Sequence, residues 1–364
     1  DMKAGAAAQC VLLEEYSAKS DFKGNILLLS VPDEENLSEG MRGSLSLLTD
    51  LKARYNLDYK IMINSEPHTK AHGHTGTFHV GSAGKLLAVI YIRGKKSHIG
   101  HIYHGFNPVL LLSEIVLQTE LNTDYCDVVR GEVSPPPSWS YMRDNKEVYD
   151  ASIPGSAGGY LSLISLKKTP AELLRQLRAT CEYSVGLVLD KIRQSHAAYN
   201  RKLGRSEPDP AWQVHVKTFS ELYRQALNDS GEAFTAAYAG GLESIIADIR
   251  RQRLNSPEAT LKIVEMTLSH VSDLSPTVVI ALSPPYYPSV HNDEFQDLPD
   301  RVGSLSDYLI GIAENRWQEA YQKKNYIMGL TDLSYAALQN GEGILPVIGP
   351  NMPLWQKTYD LPFA

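Results

Sequence analysis

Three cysteines, Cys10, Cys126 and Cys181, are too few and too widely spaced for a disulfide framework or a Cys-x-x-Cys metal site. They read as buried reduced thiols, the pattern of a cytoplasmic chain. No apolar run approaches the ~18 residues needed to cross a bilayer. The longest candidates are Val109 to Leu112 and Thr277 to Leu282 with their flanks, so no integral membrane protein is expected. No Lys/Arg block is present to track phosphates. With 35 basic residues against 42 acidic and a formal charge of -7, nucleic acid is not expected as a partner. Internal repeats are lacking, and the only low-complexity piece is Pro135-Pro136-Pro137. An initial Met is lacking too. Asp1-Met2-Lys3-Ala4-Gly5 runs at once into a helix-like segment, and the chain closes on the apolar Leu361-Pro362-Phe363-Ala364. Both features predict a sequence cut at its two ends.

What is present is ordinary globular material, 43% hydrophobic and 21% charged, with 26 Gly and 20 Pro marking many turns. A length of 364 residues exceeds the size at which a single core keeps growing, which predicts two domains. The patterning predicts helix over 6–17, a buried strand over 25–31, helix over 41–55 and a second strand over 59–64. Such alternation favours a parallel sheet covered by helices, with ligands at the carboxyl ends of the strands. A Gly-rich stretch, Gly73 to Gly84, then marks a boundary. Beyond it the pattern reads strand over 85–93, helix over 108–121, strand over 125–133 and 160–166, and a long helix over 171–199. Trp212, Val214 and Val216 alternate with polar residues as an edge strand. Helices are predicted over 220–253 and 257–270, and the apolar run 277–282 is expected to resume the large sheet. The fold class expected is therefore α/β, a mainly parallel sheet flanked by helices, with a small α+β unit inserted. Residues 1–82 and 220–364 form the first domain, and 83–219 the second.

The most informative motif is Pro32-Asp33-Glu34-Glu35-Asn36, directly after the first predicted strand. Adjacent side chains in a turn diverge, so one carboxylate can ligate a cation while the other handles the proton of a water. An isolated Asp-Glu-Glu is ordinarily a solvated turn. Here Asp1 lies one strand-helix unit before it, and Glu66, in Ser65-Glu66-Pro67, one unit after, which would bring three acidic positions to neighbouring strand ends. The histidines at 68, 72, 74 and 79 also cluster, and imidazole is a good zinc ligand. Their stretch is Gly-rich and without a Cys or an i, i+4 pair, so a solvated loop is the first reading and incidental metal affinity the second.

These residues resemble a family, the M20 metallopeptidases. Asp1-Met2-Lys3-Ala4-Gly5 is similar to the segment holding its bridging Asp, and Pro32-Asp33-Glu34-Glu35 to its pair of catalytic and ligand Glu. Ser65-Glu66 occupies the third acidic position. Gly94-Lys95-Lys96-Ser97-His98-Ile99-Gly100 with Gly105-Phe106-Asn107-Pro108 resembles the inserted lid domain, and Gly329-Leu330-Thr331-Asp332 the Gly-x-Thr-Asp turn. The segments Pro284-Pro285-Tyr286-Tyr287-Pro288 and Thr331-Asp332-Leu333-Ser334-Tyr335 resemble the arginine-utilisation protein group within that family. The likeness covers essentially the whole chain. Any one motif is weak, but five in the family's order are specific.

The resemblance implies a zinc-peptidase-like domain with a ferredoxin-like lid, and metal-dependent hydrolysis of amide bonds in short peptides or N-acyl amino acids. It implies two divalent metal ions, Zn or alternatively Co or Mn, with Asp1 bridging them and Glu35 and Glu66 each binding one. Glu34 would be the general base and acid. His98 would reach a neighbouring subunit's site in a homodimer formed through the lid, and Asn107, Thr331 and Asp332 would contact substrate. The family's His-x-Asp ligand segment would precede residue 1, and its last His would follow Gly349-Pro350 or lie beyond residue 364.

Plainer readings stand beside these roles. His98, His101 and His104 read equally as surface histidines, and Asn107 as an N-cap before Pro108. Asp332 reads as the start of a helix and Tyr286 and Tyr287 as core aromatics. Arg143 reads as a solvated side chain before a grip for a substrate carboxylate. The alternative function is a non-catalytic ligand-binding or regulatory protein on the same fold, and a further one is an oligomeric scaffold built through the lid.

Overall fold

The run from Gly84 to Arg93 and the apolar run that begins at Thr277 build the centre of the molecule side by side. The computed structural model describes residues 2–66, 70, 75–295, 300–337 and 341–354. In chain order the helices are α1 (Lys3–Ser17), α2 (Glu39–Tyr55), α3 (Pro108–Thr119), α4 (Pro170–Leu203), α5 (Phe219–Arg250), α6 (Ser256–Leu268), α7 (Asp300–Gly303), α8 (Leu305–Trp317), α9 (Leu333–Ala337) and α10 (Gly341–Asn351). The strands are β1 (Gly76–His79), β2 (Gly81–Ser82), β3 (Gly84–Arg93), β4 (Val128–Val129), β5 (Glu132–Val133), β6 (Ser138–Asp144), β7 (Ser156–Ser165), β8 (His215–Thr218), β9 (Thr277–Tyr287), β10 (Val290–His291) and β11 (Tyr321–Lys324).

Five strands form one sheet in the order β6-β7-β3-β9-β8. It is antiparallel except for the pair β8 and β9, which corrects the mainly parallel sheet expected from the sequence. Successive side chains of a strand point to opposite faces, and β3 and β9 bury both. Leu86, Ala88, Ile90 and Ile92 with Val278, Ile280 and Leu282 face α3 and α4, packing on Leu111, Leu112, Ile115, Leu173 and Leu177. Val89, Tyr91, Val279 and Ala281 face α5 and α6, packing on Phe219, Leu222, Phe234, Ile263 and Val264. Every residue of β9 is buried, which is why its sequence is a continuous apolar run without alternation. Fully burying one such side chain is worth about 1.5–3 kcal/mol. The class is α/β, a central sheet flanked by helices.

The helices on this sheet begin at strong local signals. Thr169 and Glu172 close a capping box at α4, Thr218 and Glu221 at α5, and Asn255 and Glu258 at α6. Asn107 accepts from the Val109 N–H ahead of Pro108 at α3. No helix of the described residues is long and apolar enough to cross a membrane.

Several expectations are corrected. The segments 25–31 and 59–64 form no strand. Ile26 is 44% exposed, Leu27 49% and Ile63 70%. A strand needs a ladder partner for its backbone groups, and neither segment has one among the described residues. The apolar run from Thr277 does not resume a separate sheet. It lies between β3 and β8, and the sheet thereby extends past residue 219 in sequence. The region 125–133 is a short 3-10 turn and a two-strand hairpin rather than one strand, because Arg130 and Gly131 both take positive φ. Of the cysteines only Cys181 is buried, while Cys10 is exposed on α1, a helix with no buried residue. Trp212, Val214 and Val216 do pack against the core, and the edge strand starts at His215.

Candidate active site

The acidic turn is held by the helix it introduces. Asp33 sits at φ 73°, its carbonyl accepts from Ser38 N at 2.8 Å, and its carboxylate accepts from the Leu37 and Glu39 N–H groups at 3.3 Å each. A carboxylate at a helix N-terminus is favourable, so Asp33 is committed to starting α2. Gly40 makes the fold-back possible, since a Cβ there would lie 2.4 Å from the Pro32 carbonyl oxygen. The helix is then anchored through Met41 and Leu45 on the rings of Tyr287 and Tyr335, which lie 5.2 Å apart. This leaves Glu34 half-buried and Glu35 exposed.

Two other segments meet this turn. Asn64 donates through Nδ2 to Glu66 Oε2 at 2.8 Å and to Thr331 Oγ1 at 3.0 Å, tying the third acidic position to the 331–332 turn. Burial raises the Glu34 carboxyl above its ordinary range, and the charges of Asp332, Glu66 and Glu35 raise it further. Asp332 is 8% exposed. Burial pushes its carboxyl up, with Glu66 and Asp33 adding to the effect and Ser38 and Arg42 opposing it. The Ser38 hydroxyl lies near Asp332 but pairs with Tyr287 OH at 2.6 Å. Both Asp332 oxygens consequently accept no hydrogen bond among the described residues. Ser334 Oγ and Tyr335 OH are likewise buried without a partner. Burial holds the Tyr287 phenol in its protonated form, with a pKa pushed up to about 12.

Glu34, Glu35, Glu66, Thr331 and Asp332 are therefore neighbours. Asp1 lies outside the described residues, as do His68, His72 and His74, while His79 is exposed on β1. His98 and Asn107 do not join the acidic group. Lys85 of β3 pairs with Tyr287, and Arg93 pairs with Thr277, so His98 follows the far end of a ten-residue strand, on the order of 30 Å away. There its Nδ1 accepts from Gly100 N at 3.1 Å, and it lines an open cleft of about 400 Å³ with Lys96, Ser97, Asp150, Ala151 and Ser152. Asn107 spends its side-chain oxygen on the α3 cap, 3.0 Å from Val109 N. Tyr286 and Tyr287 are core aromatics, and Arg143 is exposed, donating to its neighbour's carbonyl.

Among the described residues no three His, Cys, Asp or Glu side chains converge in a geometry that would hold an ion. The donor chemistry nonetheless fits a divalent cation. Like charges gathered at partial burial raise one another's pKa, and a bound cation reverses that cost. Ser38, Asn64 and Tyr287 were not singled out as site residues from sequence. Ser38 carried one local signal, a serine preceding a helix, whereas Asn64 carried none beyond its place before Ser65-Glu66.

Comparison with known proteins places this geometry. The chain is 32% identical over its full length to the uncharacterized protein YqjN of Bacillus subtilis, covering 64% of that protein. It is 26% identical over its full length to protein RocB of the same organism, covering 63% of it. It thus spans just under two thirds of the length of these relatives. A solved tripeptidase from Staphylococcus aureus superposes with a TM-score of 0.36 at 10% identity, over 84% of this chain and 52% of that one. The model of Peptidase family M20/M25/M40 matches residues 1–351, and the chain belongs to that family.

Proposed function

We propose that this chain carries the centre of a metal-dependent hydrolase acting on amide bonds of short peptides or N-acyl amino acids. One observation carries the reading. Glu34 stands half-buried in an acidic turn with its carboxyl pushed up by burial and then by three neighbouring acids, beside an Asp332 whose buried oxygens accept no hydrogen bond among the described residues. A general base works best with a pKa moved toward the operating pH. In this reading Glu35 and Glu66, together with Asp1, hold two divalent ions, Zn with Co or Mn as alternatives. Such ions supply Lewis acidity and make water a nucleophile at neutral pH.

Glu34 takes the proton of the attacking water as the new C–O bond forms, and returns it to the amine nitrogen as the C–N bond breaks. Thr331 and Asp332 border the reacting group, and the partly buried setting of Glu34 limits competing solvent. In this reading His98 and Asn107 serve the substrate from a second copy of the chain. Their place at the opposite end of β3 from Glu34 supports that assignment.

The test is Glu34→Gln in the full-length protein. Loss of hydrolysis by a factor of about 10²–10⁴ is expected from removal of a general base, with divalent-metal content unchanged. An unaltered rate ends the assignment. The second reading is a non-catalytic ligand-binding role on the same fold. A full-length protein that takes up no divalent metal would support it.

A further inference from the structure

The hairpin β4–β5 reaches away from its neighbours in sequence and closes on the segment that leads to Thr331 and Asp332. Its turn residues, Arg130 at φ 50° and Gly131 at φ 79°, form a tight two-residue reversal. Directly after it, the Glu132 carboxylate accepts two backbone N–H groups of one stretch, Asn325 N on Oε1 at 2.6 Å and Tyr326 N on Oε2 at 3.1 Å. Arg130 donates through one guanidinium nitrogen to Tyr326 OH at 2.7 Å, and its carbonyl accepts from Asn325 Nδ2 at 3.2 Å. Arg130 Nε also pairs with Asp293 at 3.4 Å.

The clamped stretch is continuous with the acidic site. Tyr326 is buried with Ala83 and Leu166, and Ile327 exchanges backbone hydrogen bonds with Gly81 and Ala83. Three residues on, Leu330 packs both on that cluster and on the cluster of Met41, Leu45, Tyr287 and Tyr335, which anchors the acidic turn. Thr331, next in sequence, receives the Asn64 hydrogen bond that also holds Glu66.

We propose that Glu132 is a positioning residue. By gripping the 325–326 backbone from the hairpin it fixes where Leu330 seats, and so where Thr331 and Asp332 stand relative to Glu34. The catalytic part of this inference rests on the hydrolase reading, and the structural part does not. Two carboxylate oxygens serving two adjacent N–H groups cannot be reproduced by an amide, which has one acceptor oxygen.

The experiment uses the full-length protein as wild type, Glu132→Gln and Glu132→Ala. Amide hydrogen exchange is read over residues 325–335, with β3 and β7 as internal references. Glu132→Ala is expected to speed exchange about tenfold at 325–327 and at Ser334 and Tyr335, leaving β3 and β7 unchanged, with Glu132→Gln between the two. On a hydrolysed substrate, kcat is expected to fall about tenfold with KM within a factor of two, as for a small misplacement of reacting groups. Faster exchange confined to 325–327, or equal loosening of the whole sheet, overturns the proposal. If Glu34→Gln leaves hydrolysis untouched while exchange at 334–335 responds to Glu132, the hydrolase reading fails and the positioning role stands.

Discussion

Burial raises the carboxyls of Glu34 and Asp332, with Asp332, Glu66 and Glu35 adding to it at Glu34 and Glu66 and Asp33 at Asp332, and this fixes the sign of a pH effect on stability. A carboxyl whose folded pKa exceeds its unfolded value favours folding most below the unfolded value, and that contribution is lost as pH rises through the folded one. Metal-free protein is therefore expected to gain stability from these groups on going from pH 7 toward pH 5. Asp332→Asn is expected to be more stable than wild type at pH 7, with the gap closing on acidification. Urea denaturation of both proteins at several pH values checks this, and a destabilised Asp332→Asn at pH 7 contradicts it. That Glu34, Glu35, Glu66, Thr331 and Asp332 lie together was legible because each sits in a short motif. Ser38 with Tyr287 and Asn64 with Thr331 were not, because those pairs are 249 and 267 residues apart and only the fold brings them together.

At the scale of elements, helix starts were the most legible features, because their chemistry is local. Thr169 accepts from Glu172 N while Glu172 reaches back to the Thr169 N–H. Thr169→Ala is expected to cost about 1 kcal/mol in equilibrium unfolding, the usual worth of an N-cap. The turn before α2 depends instead on Gly40, which lies against Pro32. Gly40→Ala is expected to reduce divalent-cation binding by calorimetry while the far-UV circular dichroism of the sheet and long helices is kept. Equal cation affinity in that variant would detach the turn from the site. Strands were less legible. The segment 25–31 has the apolar composition of a strand but no ladder partner among the described residues, and a strand is defined by its neighbour. β9 had the composition and was found, yet its neighbours were misassigned, since a run buried on both faces looks the same in any sheet.

At the scale of the whole molecule, the acidic group and His98 occupy opposite ends of β3, and the hydrolase reading proposed above draws them into one site from two copies of the chain. Glu34→Gln and His98→Ala are each expected to be inactive alone. Mixed and re-equilibrated, they are expected to recover about a quarter of the wild-type rate, one intact site in half of the dimers. No recovery would confine His98 to a surface role. The position of β9 carries a different consequence. Arg93 and Thr277, paired across the middle of the sheet, are 184 residues apart. During synthesis β3 and β7 emerge in the first half of the chain as an antiparallel pair with two apolar faces, and β9 and the helices α5 and α6 that cover one of those faces arrive only later. Contacts at such separation slow folding and prolong the exposure of unpaired edges. A polypeptide ending near residue 219 is thus an open, sticky sheet rather than a small stable unit.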